Sequence, residues 1–421
     1  MRSLVVKILN VFARKIVGKY KPVIIGVTGS AGKSSTCKII SQVLGTKYEI
    51  RMNNSRCRTD ISIPLAIIGA ESGKRSISSW FNIFKRALVL IWGKSNFYPD
   101  VLILEMGVDR PDDMKKMLEV VQPNIAVFSS LGEFPAHTQF FKSGKGVARE
   151  KALLFKSLDK SDVAVLNIDD DYIKNLADNI KSKKITFGFG DSAKVKGEEI
   201  FLSDKKWRIE SGKIGMSFKI TYEGTTIPFR FSYALGRGQI YAALAGTAVG
   251  LHFGMNMVEI SEALADYRVL PGRMNLIKGV KRSLIIDDSF NSNPSSALSA
   301  LETVGKLEAL RKIAVLGDML ELGDCAKEGH RKVAESIADS VDLLFCYGED
   351  AKYFCEFAKG KKMKENQIFH FKNKGELIRK LKETVNEGDI ILIKGSRAMR
   401  MEEVVKDMML EPERAGELLV K

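Results

Sequence analysis

The chain has 421 residues, 45% of them hydrophobic and 28% charged, with a formal net charge of +15 at neutral pH. That length accommodates two or three domains, each with its own core, and the composition is that of a globular protein rather than a disordered or fibrous one. Five scattered cysteines (Cys37, Cys57, Cys325, Cys346, Cys355) form no CxxC pair and no His/Cys ligand spacing. This argues against a disulfide framework or a zinc site and fits a reducing cytoplasm.

A charge this high is compatible with nucleic acid, an anionic membrane surface or polyanionic small substrates. No RGG tract, RNA-binding signature or aromatic–basic interleaving supports nucleic acid, so lysine-rich solvated faces and an anionic substrate are the plainer reading. Residues 1–21 carry Leu4, Val5, Ile8, Leu9, Val11, Phe12 and Ile16, with Arg2, Lys7, Arg14, Lys15 and Lys19 between them. Lys7 interrupts the apolar run a signal peptide needs, and no stretch reaches the ~18 apolar residues of a membrane span. The spacing predicts an amphipathic basic helix that packs on the body of the protein, with weak peripheral rest on anionic lipid as the alternative. Residues 80–92 (WFNIFKRALVLIW) are a second stretch of this kind.

Next come a short apolar strand at 22–27, a glycine turn and a helix at 33–44. The runs 101–106 (VLILEM), 124–129 and 162–167 read as further buried strands, each separated by helical pattern. Such alternation predicts a parallel sheet covered on both faces. From 185 to 231 the short runs ITFGF, EEIFLS, WRIE, GMSFKITY and TIPFRF predict hairpins forming a small antiparallel annex. Helical pattern returns at 239–251 and 257–266, and RVLPGR at 268–273 reads as a linker. Beyond it, strands at 283–286, 312–316, 343–347, 367–371 and 389–393, each followed by a helix, predict a smaller doubly wound domain.

Residues 23–35 read VIIGVTGSAGKSS: strand, glycine turn, and Gly32-Lys33-Ser34 opening a helix. Backbone N–H groups and the positive helix end favour phosphate oxygens, so Thr28, Gly29, Ser30, Ala31, Gly32, Lys33, Ser34 and Ser35 are the candidate ATP-binding residues. Lys33 would reach the β- and γ-phosphates, and Ser34 would put its hydroxyl on Mg²⁺. The general GxxxxGK[ST] pattern wants glycine at position 27; Val27 stands there, with glycines at 26, 29 and 32.

The segments TGSAGKSS (28–35), LEMGVDRPDDM (104–114), DDSFNSNPSSALSAL (287–301), VLGDMLELGDCAKEGH (315–330) and IKGSRAMRMEEVV (393–405) together resemble the Mur ligase family, most closely its D-alanyl-D-alanine-adding branch. The resemblance implies an α/β architecture. A central P-loop ATPase domain with a mostly parallel sheet occupies 22–269, a C-terminal Rossmann-like domain occupies 270–421, and helix 1–21 is the vestige of an N-terminal domain. Family members carry a longer stretch before the phosphate loop, forming a UDP-binding domain; only 25 residues precede Gly26 here. That domain is therefore expected to be absent or reduced to the helix.

The implied reaction uses ATP and Mg²⁺ to convert a carboxylate into an acyl phosphate, which an amine then displaces. The implied partners are a UDP-linked muropeptide and D-alanyl-D-alanine, handled by a cytoplasmic monomer. Glu105 matches the family's metal-binding glutamate and His137 (in GEFPAHTQFF, with Glu133 and Phe134 inserted) its metal-ligand histidine. Lys151 matches the lysine that becomes a metal-binding carbamate, which requires a depressed amine pKa. Lys33, Glu105, His137 and Lys151 are thus the implied catalytic set. Arg273 resembles the arginine that reaches the ATP phosphates. Asp288, Asn291 and Asn293 match the stretch that holds the nucleoside, with Phe290 replacing tyrosine. Arg58 and Thr59 resemble part of a substrate-binding segment, with Arg51 and Arg56 nearby or the insert 71–98 as further grips. Lys394, Ser396 and Arg397 follow a strand where they would suit the dipeptide carboxylate. GRGQ at 236–239 departs from the family's GRHN at two positions, which leaves it without an assigned adenine contact. The alternatives are a sister ligase with another peptide, lipid-linked or pseudomurein-type acceptor, and a non-catalytic nucleotide-binding scaffold at the membrane.

Overall fold

The computed structural model describes residues 2–53, 59–73, 76–93, 97–133, 138–141, 144–202, 215–360 and 363–420, without the side chains of Arg2, Ser3 and Thr59. The first part of the chain runs α1 (Arg2–Tyr20), β1 (Val23–Thr28), α2 (Lys33–Leu44), β2 (Ile50–Met52), α3 (Thr59–Ile68), α4 (Ile77–Trp92), β3 (Val101–Glu105), α5 (Asp113–Leu118) and β4 (Ile125–Phe128). It continues through α6 (Gly144–Lys156), β5 (Val163–Asn167), α7 (Asp171–Ala177), β6 (Lys183–Gly188), β7 (Val195–Leu202), β8 (Met216–Tyr222), β9 (Thr225–Phe231), α8 (Arg237–His252) and α9 (Met257–Leu264).

These strands form one nine-stranded sheet in the order β2-β3-β1-β4-β5-β6-β7-β8-β9. Pairing is parallel from β2 to β7 and antiparallel only through β7-β8-β9. The expected antiparallel annex forms at β7-β8-β9, and of the described runs only ITFGF departs from it: residues 185–188 lie in β6, a parallel continuation of the main sheet beside β5. Its β-rich composition matched either arrangement, because strand direction is set by the crossover and not by the strand's own residues. The WRIE run at 207–210 lies outside the described residues.

Alternation along β1 and β3 sends side chains to two separate layers. Ile25, Val27 and Ile103 pack with Ile39, Ile40 and Val43 of α2 and with α8. Ile24, Leu102 and Leu104 pack with α1, α3, α4 and α6 on the other face. In α1 the buried residues Leu9, Ala13 and Ile16 follow helical spacing, so the first helix is part of the body of the protein. Each such Leu or Ile contributes about 1.5–3 kcal/mol of burial. Gly246 of α8 lets α2 approach closely: a Cβ there would meet Ile39 Cγ2 at 2.5 Å.

The second part runs β10 (Asn275–Lys278), β11 (Leu284–Asp288), α10 (Pro294–Gly305), β12 (Arg311–Gly317), α11 (Ala326–Ser340), β13 (Leu343–Tyr347), α12 (Lys352–Lys359), β14 (Ile368–Phe371), α13 (Lys374–Thr384), β15 (Asp389–Lys394) and α14 (Glu402–Met408). Its six-stranded sheet has the order β10-β11-β15-β12-β13-β14, parallel apart from the edge strand β10. β10 and β2 escaped the sequence reading because each is short and mixes polar with apolar residues (NLIK and IRM), so neither a period nor an apolar run registers. Among the described residues no helix is long and apolar enough to cross a membrane.

Candidate active site

The glycine turn after β1 is shaped at two positions. Gly29 adopts φ +149°, and a Cβ there would lie 2.1 Å from Ser129 Oγ; Gly32, at φ +81°, turns the chain into α2. Val27, where the general motif has glycine, is buried in β1 in register with Glu105 of β3. The amides of Ser30 and Ala31 face the carbonyl of Ser130, at 2.6 and 3.5 Å. The first amides of α2 have no acceptor within the helix and present its positive end to the turn.

Two lysines converge on this loop, Lys151 fully buried and Lys33 partly so. Lys33 Nζ and Lys151 Nζ each donate to the carbonyl oxygen of Gly29, both at 3.0 Å. Burial lowers the pKa of Lys33, opposed by Glu105 and reinforced by Arg273. Burial likewise brings Lys151 down to about 7, helped by the charge of Lys33 and opposed by Asp109, Glu105 and Glu150. Glu105 is held by Asn53, whose Oδ1 accepts from the Glu105 amide at 2.7 Å while its Nδ2 donates to the Glu105 carbonyl at 3.0 Å.

Arg273 arrives from the second sheet's side of the chain. Its Nη2 donates to Ser34 Oγ at 3.2 Å, and its guanidinium lies 3.9 Å from the centroid of the Phe290 ring. Gln239 of α8 fixes the connecting segment, donating from Nε2 to the Arg273 carbonyl at 3.3 Å and accepting from Tyr267 Oη at 2.9 Å. A second bridge lies farther along: Thr138 Oγ1 donates to the Leu322 carbonyl at 2.9 Å, and Lys332 pairs with Glu133.

Between the two sheets lies a cavity of about 1010 Å³. Ala31, Gly32, Ser35 and Thr36 line it at the phosphate loop, Arg273 and Asp288 at the crossing, and residues of α10 and α11 opposite. One wall is a group the sequence reading missed. Asp169 accepts from the amides of Phe189 (2.7 Å) and Gly190 (2.9 Å) and from Tyr241 Oη (2.8 Å). The Arg237 guanidinium covers the Phe189 ring at 4.1 Å. The available signals were the position of Asp169 just past the carboxyl end of β5, where open α/β sheets bind ligands, and the Gly-Arg pair opening α8.

Several expected site residues are placed differently. Asn293 caps α10, its Oδ1 accepting from the Ser296 amide at 2.9 Å, and Asn291 Oδ1 accepts from the Ser292 amide at 2.9 Å. Of that stretch, Asp288 is the residue that lines the cavity. Lys394 is not a free cation for a dipeptide carboxylate: its buried Nζ donates to Asp288 Oδ2 at 2.6 Å and to the Asn291 carbonyl at 2.9 Å. Ser396 is also buried, accepting from the Leu320 amide at 2.8 Å. Arg397, more exposed, pairs with Glu402 at 2.8 Å. Arg51 is held by the Ala66 and Ile67 carbonyls and by the Tyr98 ring, away from the cleft. Within the insert 71–98, α4 packs on α1 through the Phe12–Phe84 contact and does not line the cleft. Arg56, Arg58, His137 and the Thr59 side chain lie outside the described residues.

The donors fit a hard cation. Among the described residues no three His, Cys, Asp or Glu side chains converge, leaving the Ser34 hydroxyl and the Glu105 carboxylate beside the phosphate loop. Mg²⁺ is commonly bound in this way, with one or two protein oxygens and the rest supplied by phosphate and water. Ser30 Oγ and Arg273 Nε, both buried at this loop, have no hydrogen-bond partner among the described residues.

Sequence comparison matches residues 27–250 to the Mur ligase middle domain and 272–397 to the glutamate ligase domain of Mur ligases. The chain belongs to the Mur ligase family. The UDP-N-acetylmuramoyl-tripeptide–D-alanyl-D-alanine ligase of Bacillus subtilis is 29% identical over 391 residues, covering 92% of this chain and 76% of that protein. The enzyme of the same name from Haemophilus influenzae is 25% identical over 408 residues, covering 94% and 79%. Among solved structures, the MurF ligase of Thermotoga maritima in complex with ADP superposes with a TM-score of 0.79 at 23% identity, covering 97% of this chain and 84% of that one. The family thus accounts for both sheets, with the cavity between the two matched domains.

Proposed function

We propose that this Mur ligase is an ATP-dependent amide ligase that adds D-alanyl-D-alanine to a UDP-linked muropeptide. It acts as a monomer in the cytoplasm, residues 22–269 forming the ATPase unit and 270–421 the unit that closes on it. The observation that carries the reading is the convergence of Lys33 and Lys151 on the Gly29 carbonyl. Two amines crowd one neutral acceptor at the turn into α2, Lys33 offering its charge to an anion there and Lys151, buried and readily deprotonated, offering a nitrogen that a carbamate can occupy. The names of the relatives supply the substrates.

In the reaction so read, a carboxylate oxygen of the muropeptide attacks the γ-phosphorus of ATP and the bond to the β-phosphate oxygen breaks, giving an acyl phosphate and ADP. The amine of D-alanyl-D-alanine then attacks the acyl carbon; phosphate leaves, the nitrogen loses a proton and an amide remains. Both anionic reactants must meet, so cations aimed at the developing charge lower the barrier. Lys33 and Arg273 stand at the loop for this purpose, and Arg273 completes the set only when the two units are together. Ser34, Glu105 and a carbamate on Lys151 would hold Mg²⁺, which neutralises phosphate charge when bound. Carbamate formation needs a neutral amine attacking CO₂ with loss of a proton, and a Lys151 pKa near 7 makes that amine available.

Phosphate release from ATP, measured with a UDP-linked muropeptide and D-alanyl-D-alanine together and singly, tests the reading. Turnover only with the pair present supports it. Turnover with another peptide or lipid-linked acceptor, and none with this pair, would replace it by a sister ligase.

A further inference from the structure

The helix α4 has two apolar faces. Ile83, Ala87 and Leu90 are buried toward α1, α3 and the sheet. On the opposite side Ile77, Phe81, Val89 and Trp92 are 88, 67, 55 and 75% exposed. At about 100° per residue, these four with Phe84, Lys85 and Leu88 share an arc of about 140°. All of these but Ile77 line a shallow groove of about 540 Å³ with Lys85 in its midst. A helix whose apolar surface extends this far beyond its buried stripe is ordinarily covered there too.

The charge around this face selects its cover. No Asp or Glu occurs in residues 1–21 or in residues 72–99, whereas those two segments carry six and five Lys or Arg. α1 lies alongside α4, joined by the Phe12–Phe84 ring contact at 6.1 Å and by Lys19, whose Nζ donates to the Leu90 carbonyl at 2.8 Å. Lys19 is thereby engaged. Lys7, Arg14 and Lys15 are exposed on α1 with Leu4 and Val11 between them, and Lys85 is exposed on α4. Protruding aromatic and aliphatic side chains in a field of one sign match an anionic lipid surface, into which the rings insert while the lysines meet the headgroups. A protein partner with an apolar patch would place no such demand for an acid-free surround. The face also lies across the nine-stranded sheet from α2 and α8, so a docked molecule keeps the interdomain cleft open to solvent.

We propose that the outer face of α4, together with α1, docks this enzyme on anionic membrane surfaces. The helix lies in the interface rather than crossing it: its 16 residues span about 24 Å, and none of the described helices is a membrane span. This inference is independent of which amine and acceptor the ligase joins.

Co-sedimentation of the full chain with phosphatidylglycerol-containing vesicles, against phosphatidylcholine vesicles, tests it. The expected result is binding to the anionic vesicles that weakens as salt is raised. It should fall at least about fivefold in Lys85→Glu and in the double variant Phe81→Ser/Trp92→Ser. Lys85 is solvent-exposed, so its variant keeps the fold where the double variant fails to. Vesicle-free ATP turnover should be unchanged in both, separating this proposal from the ligase reading. The proposal is overturned by absence of binding to anionic vesicles at low salt, by binding that neither variant weakens, or by a dimer in light scattering that the same variants dissociate.

Discussion

Arg273 Nη2 lies 3.2 Å from Ser34 Oγ, so a residue that follows the linker touches the hydroxyl next to the phosphate-loop lysine. The guanidinium, its Nε buried, lies over the Phe290 ring, and the backbone carbonyl of Arg273 accepts from Gln239 Nε2 of α8. Burial lowers its pKa, with Glu105 the leading charge that opposes the shift. A buried cation without a carboxylate in bonding contact is costly, and the cost is offset when an anion arrives between the two units.

Arg273→Ala should therefore lower turnover on the order of 10²-fold, since the lost charge faces the phosphate during transfer. Arg273→Lys should restore little, because an ammonium cannot reproduce the flat stacking on Phe290. Steady-state phosphate release measures both. Scattering profiles with and without ATP and substrates should show the wild type compacting and the alanine variant doing so less; equal compaction together with normal turnover would remove Arg273 from the closing contact.

Lys33→Ala removes one of the two cations on the Gly29 carbonyl. Turnover should drop on the order of 10²-fold or more. The removal also relieves Lys151 of its nearest repulsive charge, so the Lys151 amine should hold its proton to higher pH in that variant. A pH–rate profile of residual activity tests the coupling: its acidic limb should move to higher pH, because the carbamate needs the neutral amine, and an unmoved profile would show that the two amines titrate independently.

Lys151 gives a stability prediction with a definite sign. Its pKa falls from an ordinary 10.5 to about 7 in the folded chain, so between these values the unfolded chain binds a proton that the folded one does not. Stability then increases as pH rises from about 7 toward 10.5, by at most about 1.4 kcal/mol per pH unit, and below 7 the group adds no further slope. Urea unfolding of the wild type and Lys151→Met at pH 7 and pH 9, in CO₂-depleted buffer, isolates this term. The gap between the two proteins should change with pH in the wild type's favour; a constant gap would mean that folding leaves the Lys151 amine's pKa unshifted.

The strand, glycine turn and helix at 23–44 were legible in the sequence because apolar run, glycines and helical pattern are contiguous, and the structure needs glycine at 29 and 32 for reasons that are local. Buried strands such as 343–347 were legible for the same reason: four or five apolar residues in a row leave little choice. What escaped depends on distant partners. Nothing near Lys394 in sequence announces that Asp288 will neutralise it across the β11–β15 pair. Asn293 reads equally well as a ligand or as a helix cap, and its position before Pro294 and Ser296 favours the cap, which is what forms. The Asp169–Tyr241 wall joins residues 72 apart, and only the packing of α8 against the sheet brings them together.

That wall supplies the last prediction. Asp169 accepts three hydrogen bonds, of which the one from Tyr241 Oη at 2.8 Å is the only one a side-chain substitution can delete cleanly. Tyr241→Phe keeps the ring and its edge contact with Phe189, so ATP affinity should fall about fivefold, the equivalent of roughly 1 kcal/mol for a single hydrogen bond. Arg237→Ala strips the guanidinium from the Phe189 face and should weaken ATP by about 0.5–2 kcal/mol, roughly two- to thirtyfold. Both substitutions lie far from the lysines at the loop, so kcat at saturating ATP should stay near the wild-type value while the KM for ATP rises. If kcat falls and the KM for ATP holds, the wall belongs to the reacting centre or to closure, and the base of the nucleotide sits elsewhere in the cavity.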